Sequence, residues 1–342
     1  GSSPKEMRMA LRLTALAVTG ALALAAGGGR AATTTNPRAR LWPGSAATHP
    51  GRGPGHLSVA RDTHVLSLNL LVSERDDLLV SLSPSGQIVW RLRQSDLTQA
   101  FVSRTGRTLV ITESRRSLVL LRRVDNHQIS FVYSRLDKPE TALETASGAV
   151  VVADPGSCAV VLVSPAARRE LRTLGRPGLC VHDPPEEFAH PDAAFPAPHG
   201  ELVVTERDPA WIDVLSAGDR LLDAIRLAGW SAASDANAYG SGGLIVAERS
   251  DPGAVEELDR SGALIWRYGP SAGPGELDRP ALARVLADGD VLVVDSGNDR
   301  VIVIDPRSDA IVWQYGHTGI AGTRPGYLDD PQSATLVPLG GA

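Results

Sequence analysis

A chain of 342 residues with 43% hydrophobic and 21% charged residues carries enough apolar material for a packed core, which excludes wholesale disorder and a polytopic membrane protein. A net charge of -5 removes the basic footprint of a general nucleic-acid binder, so no nucleic acid is expected among the partners. With 34 glycines, 24 prolines and no helical periodicity beyond the N-terminus, the chain reads as all-β, built from short strands and turns.

In chain order, Lys5, Arg8 and Arg12 precede an apolar stretch from Leu13 to Ala26, followed by Gly29 and Ala31 at small-residue cleavage positions. Residues 1–31 read as a secretion signal or, if uncleaved, a membrane anchor, the sole membrane contact expected. Residues 32–57 are rich in Pro, Gly and Thr and cannot bury a core face, so they read as a flexible linker to a domain over 58–342. The chain is therefore expected to be secreted or to sit in the periplasm or cell envelope. That compartment is oxidising, and Cys158 and Cys180 are expected to pair as a disulfide.

The domain is organised by a repeat: an anchor residue, Ala three positions on, Gly nine positions on, then a β-branched run ending in a carboxylate. The anchors are Leu97, Pro139, Pro191, Ala233, Pro280 and Pro331, with Ala100, Ala142, Ala194, Ala236, Ala283 and Ala334 at the second position. Gly106, Gly148, Gly200, Gly242, Gly289 and Gly340 follow at the third. Small side chains suit an innermost strand where blades converge, and the glycine suits the tight turn to the next strand. Each copy continues into two more strands, and four short strands per copy is the pattern of a propeller blade. The last copy ends after its inner strand, whereas residues from about 66 to 93 supply three strands without an inner one. We therefore expect a six-bladed β-propeller closed by pairing the C-terminal strand with the N-terminal blade. Trp90, Trp266 and Trp313 fall on outermost strands, where a ring covers the rim of the next blade.

The run YGPSAGPGELDRPALARVLADGDVLVVDSGNDRVIVIDPRSDAIVWQYG resembles NHL-type β-propeller repeats, with Asp295, Asn298 and Arg300 forming their Asp-x-x-Asn-x-Arg turn. SPSGQIVW and DRSGALIW are similar to the outer strands of PQQ-like propeller repeats. The resemblance implies the fold and not a reaction. Only one blade keeps the whole NHL turn; the others keep the carboxylate alone, as Glu74, Glu113, Asp154, Glu206 and Glu248. Such a recurring carboxylate either caps the backbone N–H groups of each turn or forms a cation-binding ring.

The mouth of the central channel is the default binding site of such a ring. Polar residues near the start of the inner strands, Gln99, Glu140, Asp192, Asp235, Gln332 and Ser333, are expected to ring it as ligand contacts. The two longest connections, 175–191 and 316–331, reach the same face and carry His182, His190 and His317. Those three would make a metal site for zinc, iron or calcium with an open position, and Glu187 or Asp192 would then be a base. No GxSxG elbow, Walker loop or HExxH motif is present. The sequence thus supports an exported binding or interaction module, expected to be monomeric, for a small molecule or an envelope protein. A metal-assisted lyase or hydrolase at the channel mouth is the alternative.

Overall fold

The computed structural model describes residue 66 and residues 69–337, apart from 76, 231, 241 and 271. The expected signal or anchor (1–31), the linker (32–57) and Gly340 lie outside the described residues. Among those residues no helix is long and apolar enough to cross a membrane.

Six four-stranded antiparallel sheets form six blades. Blade 1 opens with β1 (Asn69–Glu74), β2 (Leu78–Leu82) and β3 (Ile88–Arg93). Blade 2 holds β4 (Gln99–Val102), β5 (Thr108–Glu113), β6 (Leu118–Arg123) and β7 (Ile129–Tyr133), and blade 3 holds β8 (Thr141–Glu144), β9 (Val150–Asp154), β10 (Ala159–Ser164) and β11 (Arg169–Leu174). Blade 4 holds β12 (Pro191–Pro196), β13 (Leu202–Glu206), β14 (Trp211–Leu215) and β15 (Leu221–Arg226). Blade 5 holds β16 (Asn237–Tyr239), β17 (Gly243–Glu248), β18 (Ala254–Leu258) and β19 (Leu264–Tyr268). Blade 6 holds β20 (Pro280–Val285), β21 (Val291–Asp295), β22 (Arg300–Asp305) and β23 (Ala310–Gly316). The last strand, β24 (Pro331–Val337), pairs antiparallel with β1 and completes blade 1, so the ring closes as the repeat count requires. Ser73 and Ser333 join their hydroxyls at 2.6 Å inside this seam.

Each blade buries both faces against its neighbours. Middle strands such as β2, β9, β13 and β21 are therefore buried at every position, and their sequences are nearly continuous apolar runs. The outer strand β3 instead alternates half-buried and exposed positions. Trp266 on β19 donates its indole N–H to Asp309 of blade 6 at 2.9 Å, and Trp90 on β3 packs edge-on to His127 of blade 2. These rings cover the rim of the next blade.

All six repeat alanines are fully buried. Hydroxyls from one blade hold the inner-strand backbone of the next: Thr141 Oγ1 accepts from the Ala194 N–H at 3.2 Å, and Thr205 Oγ1 from the Ala236 N–H at 3.0 Å. A larger side chain would separate these contacts. Gly106 (φ 74°) and Gly148 (φ 80°) occupy the left-handed region in the turns after the inner strands, which an L side chain adopts with strain.

In four blades the recurring carboxylate holds the connection that enters the inner strand. Glu74, Asp154, Glu206 and Asp295 accept the backbone N–H of Asp329, Asp137, Ala189 and Asp278, each two residues before an anchor. Glu113 receives the Gln94 side-chain amide instead. In blade 6, Arg300 lies 2.7 Å from Asp295 with both side chains buried, and it donates to the carbonyls of Pro274 and Glu276. Asn298 bridges Asp295 and the Glu276 carbonyl. The NHL-type turn is thus a clamp on the incoming loop.

Candidate ligand site at the channel mouth

Cys158, just after β9, and Cys180, in the 175–190 connection, form the expected disulfide, with Cα atoms 5.3 Å apart. The bond ties that long connection to blade 3 on the face where inter-blade connections emerge.

On the same face lies a cavity of about 310 Å³ whose walls include Gln99, Glu140, Asp192, Asp235 and Gln332, all five residues expected at the mouth. Local backbone geometry explains why two of them reach it. β-Bulges fall between Pro191 and Ala193 and between Pro331 and Ser333, so Asp192 and Gln332 drop out of their ladders towards the mouth. Ser333, the sixth polar residue, stays out of the cavity walls and is fully buried against Ser73 and the Ala100 backbone. Gln99 of blade 2 donates its amide to Asp235 at 3.2 Å, and because blades 2 and 5 face each other in a six-membered ring, this bond spans the channel.

Deeper along the inner strands, the residues four positions after the anchors form a plug. Phe101 and Phe195 meet edge to face with centroids 5.6 Å apart, the Arg284 guanidinium lies 5.5 Å over Phe195, and its Nε donates to Asn237 at 3.3 Å. Phe101 and Arg284 instead line a separate cavity of about 450 Å³ at the opposite face. The mouth is therefore a cup with a floor.

The cup crowds carboxylates in a partly dry setting. Burial raises Asp192 to about 6, against the pull of Arg207 and Arg249. Asp235 rises to about 8, first through burial, which with repulsion from Asp192 and Glu140 outweighs the Gln99 bond and Arg249. Glu140 is raised by burial and by Asp192. Arg207 sits 3.1 Å from Asp192, and Arg249 donates to Gln332 at 3.2 Å. The arrangement can hold protons near neutral pH and offers a cationic group several acceptors.

The three expected metal-binding histidines do not converge. His182 and His190 lie at the junction of blades 3 and 4 and His317 at that of blades 6 and 1, three blades apart and so on opposite sides of the ring. His317 is exposed and packs on Tyr327 at 4.3 Å, and His190 is also exposed. Glu187, expected as a base, is paired with Arg176 and lies outside the cup. Among the described residues, the cluster able to hold an ion joins His182 to Glu206 and Asp213, with donor atoms within 4.8 Å of one another. His182 Nδ1 lies 3.0 Å from Glu206 and 3.8 Å from Asp213, and its ring stacks on Trp211 at 4.0 Å. Burial, then Glu206, raises Asp213 to about 9. The sequence pattern offers Glu206 only as one of six recurring carboxylates, capping a turn or joining a cation-binding ring, and does not single out Asp213. The available signal was an Asp at the centre of the apolar strand WIDVL.

With this geometry in place, the comparisons can be read against blades 5 and 6. Residues 230–330 match a PQQ-type family model described as "Outer membrane protein assembly factor BamB". The chain is a six-bladed propeller whose residues 230–330 are PQQ-like. Among solved structures it is similar to a protein of unknown function from Bacteroides caccae, at 16% identity over 72% of this chain and 93% of that one, with a TM-score of 0.58. It is also similar to hydrazine synthase of Kuenenia stuttgartiensis, at 12% identity, 75% and 80% coverage and a TM-score of 0.56. A streptogramin B lyase aligns at 15% identity, 75% and 84% coverage and a TM-score of 0.53. At these identities the likeness is one of fold. No curated protein matches the chain in sequence.

Proposed function

We propose that this chain is an exported binding module whose channel-mouth cup takes a small polar ligand carrying a cationic group. The observation that carries the reading is the convergence of Glu140, Asp192 and Asp235 on one floored cavity, with Gln99 and Gln332 beside them. A cationic group entering the cup would relieve the repulsion among the carboxylates and satisfy acceptors that burial leaves costly. Arg249 on the same wall favours a ligand that also carries an acceptor. Export draws support from the disulfide and from the envelope protein whose family model matches residues 230–330.

Calorimetric titration of the full chain with putrescine, agmatine and choline, beside acetate and glucose, tests the reading. We expect heat from at least one cation and none from the controls. Binding should strengthen as the pH rises past the range in which Asp192 and Asp235 ionise, and it should weaken in Asp192→Asn. Binding indifferent to pH and to that substitution would place the ligand elsewhere.

A further inference from the structure

Blade 4 departs from its siblings at the end of its second strand. In blade 6 the strand-end carboxylate Asp295 pairs across the ladder with Arg300, which supplies a buried counter-charge. In blade 4 the equivalent partner of Glu206 is Trp211, which supplies none. A second carboxylate, Asp213, is added two residues on. Glu206 and Asp213 are both fully buried, and neither Asp213 oxygen receives a hydrogen bond. Two buried carboxyl groups in contact, with no N–H donor on Asp213, hold either a shared proton or a cation that displaces it.

We propose that His182, Glu206 and Asp213 form a binding site for a zinc-type divalent cation, roofed by the disulfide-tied connection between blades 3 and 4. An ion about 2.0–2.2 Å from each donor spaces tetrahedral ligand atoms roughly 3.2–3.6 Å apart. The observed separations of 3.0 Å from His182 Nδ1 to Glu206 and 3.8 Å to Asp213 bracket that spacing. The supports expected around a metal site are present. Glu206 is oriented by the Ala189 N–H, at 2.6 Å on its other oxygen, and the His182 ring is held flat against Trp211 with 11° between planes. One imidazole and two carboxylates suit zinc or a neighbouring transition metal, whereas calcium needs six or more oxygen ligands and magnesium a largely hydrated octahedron. The fourth position is assigned to the side of His182, whose side chain is 18% exposed while both carboxylates are buried.

The experiment uses the full chain, oxidised and stripped with chelator, titrated with ZnCl₂ by calorimetry and with CoCl₂ by visible absorption. We expect one equivalent of zinc, a four-coordinate cobalt spectrum, and no competition from CaCl₂ or MgCl₂. Asp213→Asn keeps the side-chain shape and should weaken zinc binding by about 100-fold and abolish the cobalt bands, since even outer partners of a metal ligand cost about 10- to 100-fold. His182→Gln, at a partly exposed loop position, should do the same and serves if the Asn variant fails to fold by circular dichroism. Absence of zinc uptake by the folded wild type overturns the proposal. So does zinc uptake that both variants retain.

Discussion

Asp235 provides the most direct test of the dry cup. It is 4% exposed and hydrogen-bonded to Gln99 across the channel, and its carboxyl is held near 8 in the folded protein against 3.8 for a free side chain. The unfolded chain loses this proton near 3.8 and the folded chain near 8, so over that interval the folded state binds one proton more. Stability from this group is present at low pH and is lost as the pH rises towards 8. The slope is about 1.4 kcal/mol per pH unit, or on the order of 4 kcal/mol between about pH 5 and about pH 8. Asp235→Asn removes the titration while keeping size and a hydrogen-bonding partner for Gln99. At about pH 5 the variant should already be ahead by about 2 kcal/mol, and at about pH 8 by about 5 kcal/mol. Urea unfolding followed by tryptophan fluorescence at the two pH values measures the difference. Asp192 and Glu140 titrate in both proteins, so the comparison isolates Asp235. Equal pH slopes in the two proteins would refute the reasoning, because the mouth would then be wet enough for Asp235 to ionise at its ordinary pH.

Arg300→Ala should destabilise the ring by about 3–5 kcal/mol in thermal melts, because it strands Asp295 in a dry site and frees the Pro274 and Glu276 carbonyls. Replacing Cys158 and Cys180 by serine opens a loop with a sequence separation of 22 and should cost about 3 kcal/mol in urea unfolding. The same variant should loosen zinc binding at His182 relative to Glu206 and Asp213, read by calorimetry. Unchanged affinity would mean that Phe188, the connection's own fully buried side chain, suffices to hold it.

The sequence by itself determined the ring. The spacing of anchor, alanine and glycine recurs because each blade meets the same constraints: a crowded centre, a tight turn and a strand covered on both faces. The C-terminal inner strand specified the closure, since blade 1 supplies three strands and takes β24 at the inner edge of β1. The five polar residues of the mouth were legible for the same reason, as each follows its anchor by one or two positions, whereas the Cys158–Cys180 pair followed from an oxidising compartment. The side-chain chemistry between repeats depended on tertiary structure. His182, His190 and His317 are alike in sequence, but their positions around the ring separate the last from the other two, and only His182 finds carboxylates. Glu206 has the sequence context of every other strand-end carboxylate. Its difference arises from Trp211 across the ladder, Asp213 two residues on, and a loop that the disulfide brings over both. A repeat pattern records what all blades share, whereas a site forms where one blade differs. Which differences meet is settled by packing across blades and by loops whose paths a linear spacing does not encode.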